Sequence, residues 1–564
     1  MTSATGPVIS KRPALAERPV RERRMPLAFD AGRRLLAPTF VAVFAAIAAF
    51  SSSRDIMAQD YDSDLDHHMY FGQRLLAGEL IWVTEIYDKF PVIQYLFIVP
   101  AYFKSIQLWF IISAIILIAS AGILFGCLWG YFQESGRDYH YNFGIHFSLI
   151  LVSFYLFLSA TTPPGLAHIN SVTTSLMVIS LATAARSAFS VSFARPRKLF
   201  FLYIISTATA ALSFSIRPFM VGLALPLMLL IIFAPAIHPR EFVPARRVIT
   251  FLIQRRELLI ISCKKYATWW IVTFGFFVIF NFAPYLITGN TIAMVQGVIH
   301  NSHKLNPQSP IAILEDQLKS FSYGGAGYFL MLAATTPWMM VAARRLKAGY
   351  TRCAGSGTVL LGVLLPFAGL EAMILARHWW GGYWQMFTVI GVIHFAVVYV
   401  LAIRAQVVTI DVSVKAMRII AASALAIGAV LGANANQEAR HAQASRFQEI
   451  ADYLTQRRAL GLPEDFLDIG DMYPHWQLNQ PRNGFPHVQN MQHIILGWYQ
   501  SLPRMTHLEF PYTREELCRQ VNTRGPSVVF MQFSYMFSCL LSKESNYILE
   551  RNSPELIIFV RSSS

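Results

Sequence analysis

Long apolar stretches recur along the chain and are separated by short polar segments. A helix needs about 20 apolar residues to cross the roughly 30 Å hydrocarbon core of a bilayer. The pattern therefore predicts a mainly α-helical, polytopic membrane protein with about eleven transmembrane helices and the N-terminus inside. The predicted spans are residues 36–53, 107–132, 142–160, 171–189, 199–215, 219–237, 267–287, 326–343, 357–376, 383–403 and 418–434.

One further apolar run, Pro91–Phe103, is too short to span and contains Pro100. It is predicted to be an interfacial helix on the membrane surface. The basic residues support this choice. With eleven spans, the inner segments carry 27 Lys and Arg, the outer loops carry 8, and residues 435–564 carry the other 12 of 47. Counting Pro91–Phe103 as a span would scatter the basic clusters over both faces, against the positive-inside rule.

Composition excludes several other classes of protein. Charged residues make up 14% of the chain and hydrophobic residues 54%, whereas a soluble domain carries about 25% charged residues. The apolar content argues against disorder, and five cysteines in 564 residues argue against a disulfide scaffold. The net charge of +15 is interpreted as the signal of inward-facing loops, so no nucleic-acid partner is predicted.

The two ends of the chain differ from its apolar middle. Residues 1–35 are basic and predict a disordered cytoplasmic tail, followed by a first span that serves as a signal anchor. The transmembrane domain is predicted over 36–434. Residues 435–564 hold no spanning stretch, which predicts a soluble domain on the outer face.

Periodicity predicts a small α/β fold for this C-terminal domain. Glu438–Arg458 has the spacing of a helix, and Pro526–Gln532 and Leu556–Arg561 have the composition of strands. Cys518 and Cys539 also fall in this domain, where oxidation can occur, but spacing alone does not decide whether they form a disulfide.

The first outer loop, residues 51–106, carries the most suggestive chemistry. A helix through Asp64–Leu76 would place Asp64 and His68 on one face. Carboxylates beside low-dielectric lipid have raised pKa values when partly buried, which suits a general base near neutral pH. The eight acidic residues between positions 55 and 88 are Asp55, Asp60, Asp62, Asp64, Asp66, Glu79, Glu85 and Asp88.

This loop resembles the first outer loop of the GT-C membrane glycosyltransferases. That superfamily includes transferases of aminoarabinose and of galacturonic acid, and the protein mannosyltransferases. The matching pieces are Asp64 with His68, the segment Gly72–Gly78 (GQRLLAG), the turn Tyr87–Pro91 (YDKFP), and the apolar run that follows it. A second similarity is the aromatic-rich segment Arg377–Gln385 (RHWWGGYWQ). The order of the segments and the outer C-terminal domain also agree with this family.

The resemblance implies sugar transfer from a polyprenyl-phosphate donor to an acceptor on the outer face of the bacterial inner membrane. The acceptor class is an envelope lipid, lipopolysaccharide, polysaccharide or protein. Asp64 would act as the general base, while cations would stabilise the departing phosphate. The candidate catalytic residues are Asp64, Asp66 and His68, and Asp62 and Asp66 are both rivals of Asp64 for the role of base. The candidate phosphate ligands are Lys89, Arg217 and His378, and the further site candidates are Asp88, Glu371 and His168.

One departure concerns the second outer loop, Thr161–Asn170, which has no carboxylate where many relatives supply an acid. His168 or Asn170 would take that position. No zinc-ligand spacing, Walker loop or dinucleotide fingerprint occurs in the chain. The clustered aspartates would suit a divalent cation such as Mg²⁺, Mn²⁺ or Ca²⁺, although spacing does not identify oxygen-only sites.

The alternative function is a flippase or transporter of lipid-linked saccharides without transferase activity. A transporter needs paired polar residues deep in several spans. Deep charge is sparse apart from Glu371, whereas the acidic residues concentrate in one outer loop. This asymmetry favours chemistry on one face of the membrane.

Overall fold

A computed structural model describes parts of the acidic loop 51–106, of the helical bundle that follows it and of the C-terminal region. The described residues are 63–86, 89–134, 169–189, 196–237, 253–303, 309–312, 437–463, 465–468, 502–531, 540–541, 545–553 and 556–562, with 148, 151–152, 155–156, 159, 250 and 315. The predicted tail 1–35 and the spans predicted at 36–53, 326–343, 357–376, 383–403 and 418–434 lie outside them, as does most of 142–160.

The described part of the chain is mainly helical, with strands confined to its C-terminal region. The helices are α1 (Ser63–Leu76), α2 (Val92–Leu96), α3 (Ile98–Tyr102), α4 (Ile106–Glu134), α5 (Ile169–Phe189), α6 (Pro196–Ile216), α7 (Met220–Ile237), α8 (Arg256–Ile287), α9 (Thr291–His303), α10 (Gln437–Ala459) and α11 (Arg514–Arg524). The strands are β1 (Phe466–Asp468), β2 (Val528–Met531), β3 (Tyr547–Asn552) and β4 (Ile557–Arg561).

Three of the described helices are long and apolar enough to cross a membrane. They cover Ile106–Gly130, Arg197–Ile216 and Arg256–Ile287, and α7 contributes a shorter apolar stretch, Met220–Phe233. The helices predicted over 107–132, 199–215 and 219–237 are therefore present with nearly the predicted bounds. This agreement follows from the length of their apolar runs, which only a helix can carry through lipid without unpaired backbone groups.

The helix predicted over 267–287 is longer than expected, because α8 starts at Arg256 and runs for 32 residues. At 1.5 Å per residue it is about 48 Å long, well beyond the thickness of the hydrocarbon core. Its first turns hold Glu257, Lys264 and Lys265, which lower the hydropathy without interrupting the helix. Hydropathy thus located the apolar part of α8 but not its beginning.

Helix α5 occupies the interior of the bundle, packed against α4, α6 and α7. Almost every described position along it is buried, including a series of Ser and Thr residues. The hydroxyl of Thr173 donates to Ile169 O at 2.8 Å, and Ser213 of α6 donates to Thr173 O at 3.1 Å. These hydroxyls are satisfied inside the bundle, one within α5 and one between α6 and α5.

The apolar run Pro91–Phe103 forms two short helices, α2 and α3, instead of the single interfacial helix predicted. They are separated at Phe97, whose backbone (φ −94°, ψ 2°) departs from helical geometry. One side of the pair is buried against α1, where Phe97 and Ala101 have almost no exposure, whereas Tyr102 and Phe103 are 68% and 65% exposed. The close approach to α1 requires Gly72, since a Cβ there would lie 2.7 Å from Phe97 O.

The C-terminal region forms a four-stranded mixed sheet in the order β1-β2-β4-β3. Strands β1 and β2 are parallel, and the other two pairs are antiparallel. The predicted helix over Glu438–Arg458 is confirmed as α10, and both predicted strands are confirmed as β2 and β4. Cys518 on α11 is disulfide-bonded, and its partner lies outside the described residues, as does Cys539.

Helix α11 begins with a reciprocal cap. The Thr513 hydroxyl accepts from the Glu516 N–H, and the Glu516 carboxylate accepts from the N–H groups of Tyr512 and Thr513. Partial burial acts to raise the pKa of Glu516, but these backbone hydrogen bonds and the Arg504 guanidinium outweigh it, so the pKa lies below its usual value. The cap fixes the entry of the chain into α11.

The C-terminal sheet shares one hydrophobic core with the first outer loop and the beginning of the bundle. At the junction, His507 donates through Nε2 to the Trp82 carbonyl, and Gln296 of α9 donates to the Thr506 hydroxyl at 2.8 Å. Trp82 is fully buried, has a left-handed backbone (φ 64°), and lies over Gly297 of α9. The loop, α9 and the C-terminal region are thereby joined at a single tryptophan.

Replacing Gly297 with alanine is expected to destabilise the protein by about 1–3 kcal/mol, because the new Cβ would overlap the Trp82 indole, which has no free space to move into. The measurement is the thermal unfolding of the purified protein in detergent. Gly275→Ala is the matched control, since a Cβ on this α8 glycine meets no atom within 4 Å. Equal melting temperatures for the two variants would contradict the expectation.

Candidate active site

Helix α1 carries the acidic residues singled out in the sequence. It begins at Ser63, so Asp64 and Asp66 belong to its first turns, and the predicted helix over Asp64–Leu76 is confirmed. The side chains of these two aspartates lie outside the described residues. Leu65 and Met69 are almost fully buried and anchor the helix to the core. The aspartates are therefore mounted on a fixed element rather than on a solvated loop.

His68, on the same helix, is buried in the protein interior. The ring has no exposed surface and lies 5.1 Å, centroid to centroid, from the Phe97 ring. The neighbouring His67 is equally buried, with its ring 4.7 Å from that of Phe71. An imidazole enclosed in this way is better suited to supporting the geometry of α1 than to touching a substrate borne by lipid.

Gln94 of α2 binds the pieces of the loop together. Its amide nitrogen donates to Phe71 O at 3.1 Å and to Glu79 O at 2.8 Å, and its carbonyl oxygen accepts from Ile81 N at 3.3 Å. The same Ile81 offers its carbonyl to the Tyr285 hydroxyl of α8. The side-chain bonds of the buried Gln94 therefore hold the residues on either side of the GQRLLAG segment against α2. Sequence reasoning missed this residue, because a single Gln in an apolar run gives no signal of its partners.

A second buried polar contact lies in the same loop. The Tyr70 hydroxyl donates to Glu85 Oε2 at 3.2 Å, and both residues are largely buried. Glu85 is one of the eight loop acids, but its spacing did not distinguish it from the others. Nearby on α2, burial raises the pKa of Tyr95 to about 12, so its phenol remains protonated at neutral pH.

The turn that follows brings Lys89 into the protein. Lys89 is only 8% exposed, and the next residue, Phe90, packs its ring against Phe277 (5.0 Å) and Phe282 (6.3 Å) of α8. Lys89 is therefore enclosed by the protein rather than extended into solvent. The placement is compatible with the predicted role in binding phosphate.

Arg217 lies at the end of α6, between two apolar helices. Its Nε donates to the Asn170 side-chain oxygen at 2.7 Å. Asn170 is one of the two residues, with His168, that the sequence offered in place of the missing acid between Thr161 and Asn170. The structure therefore brings together Asn170, at the start of α5, and Arg217, just after α6, and the amide orients the guanidinium.

The remaining site candidates lie outside the described residues. These are Asp62, Asp88, His168, Glu371 and His378. Within the described ranges, no group of three or more His, Cys, Asp or Glu residues is placed to hold a metal ion. The side chains of the aspartates that would suit a divalent cation lie outside those ranges.

The chain shares its fold with a solved structure. The chain is similar to the crystal structure of ArnT from Cupriavidus metallidurans in the apo state, with a TM-score of 0.50 and 12% sequence identity. The similarity covers 93% of this chain and 98% of that chain. No family model and no curated protein matches the sequence. The resemblance found in the sequence is thus confirmed at the level of the fold.

Proposed function

We propose that this protein is an integral-membrane glycosyltransferase that moves a sugar from a polyprenyl-phosphate donor to an envelope acceptor. The principal support is the ArnT-like fold over 93% of the chain. Further support comes from helix α1, which carries Asp64 and Asp66, and from the turn before α2, which carries the buried Lys89. A flippase of lipid-linked saccharides is not favoured by this fold. The acceptor is an envelope lipid, lipopolysaccharide, polysaccharide or protein.

In the proposed reaction, Asp64 removes the proton from the acceptor hydroxyl as its oxygen attacks the anomeric carbon. The bond between that carbon and the donor phosphate oxygen breaks, and configuration is inverted. The polyprenyl phosphate leaves with the bonding electrons, so negative charge accumulates on its oxygens. Lys89, Arg217 and His378 stabilise this charge, and His68 supports the base, for which Asp62 and Asp66 are the alternatives.

The proposed location is the outer face of the bacterial inner membrane, with the C-terminal domain in the periplasm. Two observations support this sidedness. Basic residues are concentrated in the segments predicted to face inward, 27 against 8 in the outer loops. In addition, Cys518 of the C-terminal domain is disulfide-bonded, and disulfides persist in oxidising compartments such as the periplasm rather than in the cytosol.

The direct test is a transfer assay with the purified protein in liposomes. It is supplied with labelled polyprenyl-phosphate sugars, including aminoarabinose, galacturonic acid and mannose, and with extracted envelope glycolipids. We expect a labelled product and free polyprenyl phosphate, with no use of nucleotide sugars. Movement of the donor across the bilayer without a new glycosidic bond would overturn the proposal in favour of a flippase.

A further inference from the structure

We infer that Asn281 is a positioning residue that sets the distance between the two cations proposed to bind the donor phosphate. The inference rests on the proposed function, because it takes Lys89 and Arg217 as the phosphate ligands. These residues belong to different elements, the turn before α2 and the end of α6. A single amide on α8 contacts both elements.

Both polar atoms of the Asn281 side chain make hydrogen bonds. Its Oδ1 accepts from Val92 N at 3.3 Å, and its Nδ2 donates to Ser215 Oγ at 2.7 Å and to Phe277 O at 2.8 Å. Asn281 has no exposed surface. A fully satisfied amide buried in an apolar helix is held in one orientation, because any rotation would leave polar groups without partners.

On the lysine side, Asn281 acts as a cap supplied by another helix. Val92 is the first residue of α2, and the first N–H groups of a helix have no partner within the helix. No side chain of α2 caps this end. Because Pro91 and Phe90 are all that separate Val92 from Lys89, the bond to Asn281 fixes the turn on which the lysine is mounted.

On the arginine side, the contact is with the last turn of α6. Ser215 is two residues before Arg217, and its own hydroxyl donates to Ala211 O at 2.7 Å. It therefore receives the Asn281 bond without leaving its helix. Arg217 is oriented in turn by Asn170. Asn281 thus fixes the distance between the start of α2 and the end of α6. Two cations that bind the same phosphate must be held at a fixed distance from each other.

The chain contains a matched control for this contact. Ser206 is also a buried serine on α6 that accepts a hydrogen bond from α8, in this case from Trp269 Nε1 at 2.9 Å. It is nine residues from Ser215, about 14 Å along the helix, and so it joins the same two helices away from the cations. A role in general packing predicts similar effects of Ser206→Ala and Ser215→Ala, whereas the inference predicts different ones.

The experiment measures the affinity of the purified protein in detergent for polyprenyl phosphate, together with its melting temperature. We expect Asn281→Leu to weaken binding about tenfold or more, Ser215→Ala to weaken it about threefold, and Ser206→Ala to leave it within about twofold. In an Arg217→Gln background, Asn281→Leu should add less than about twofold, because only one cation is left to align.

Two results would overturn the inference: wild-type affinity in Asn281→Leu, or equal weakening by Ser206→Ala and Ser215→Ala. Ser215→Ala keeps the test valid if Asn281→Leu does not fold. Absence of any binding by the wild-type protein would overturn both this inference and the phosphate-binding roles. A wild-type protein that binds polyprenyl phosphate but transfers no sugar would overturn the proposed function while leaving the positioning role of Asn281 in place.

Discussion

Replacing Asp64 with asparagine is expected to lower sugar transfer by about 100- to 10,000-fold, the range typical for loss of a general base. Asparagine has the size of aspartate but cannot accept the proton of the acceptor hydroxyl. Binding of the donor should be retained, so kcat falls while KM for the donor changes little. Because the buried Leu65 and Met69 pack α1 into the core, the variant should fold normally.

The assay uses membranes that contain equal amounts of each variant and a labelled polyprenyl-phosphate sugar. Asp62→Asn and Asp66→Asn are the controls, with expected losses below about tenfold. The wild-type rate should fall at acid pH as the base becomes protonated, and the residual rate of Asp64→Asn should lack this decline. A larger loss in either control than in Asp64→Asn would transfer the role of base to that aspartate.

Replacing Arg217 with glutamine is expected to lower kcat by about 100- to 1,000-fold, comparable to removing one preorganised donor that faces a developing negative charge. Lysine at this position should recover only part of the rate, since it keeps the charge but lacks the planar guanidinium that bonds Asn170. The measurement is single-turnover transfer, which separates chemistry from product release.

Arg197→Gln serves as the control for this prediction, because Arg197 is an exposed arginine at the opposite end of the same helix. Its rate should equal that of the wild-type protein. A normal single-turnover rate in Arg217→Gln would show that Arg217 only anchors the outer end of α6, and the phosphate site would then have to be built from other cations.

Taken together, these tests separate three parts of the proposed mechanism: the base, the cations and the frame that holds them. Loss of the base should affect kcat and its pH dependence. Loss of a cation should affect kcat and phosphate binding. Loss of the frame at Asn281 should affect phosphate binding only while both cations are present. Each part therefore has a readout that the others do not reproduce.

Local sequence determined the kinds of elements in this protein. Apolar runs of sufficient length gave α4, α6 and α7, helical periodicity gave α10, and β-rich composition gave β2 and β4. These features depend on neighbours only a few residues away, since a helix satisfies its own backbone and an apolar run is excluded from water whatever it packs against. The acidic first loop and its GT-C-like motifs were visible for the same reason.

Tertiary structure alone decided how these elements meet. The division of Pro91–Phe103 at Phe97, the enclosure of His68, and the pairing of Asn170 with Arg217 all depend on contacts between distant segments. Asn281 is the clearest case, because its partner Val92 is 189 residues away. Hydropathy records how apolar a position is, not which buried group it faces, and a lone asparagine in a span therefore gives no sign of the two elements that it holds together.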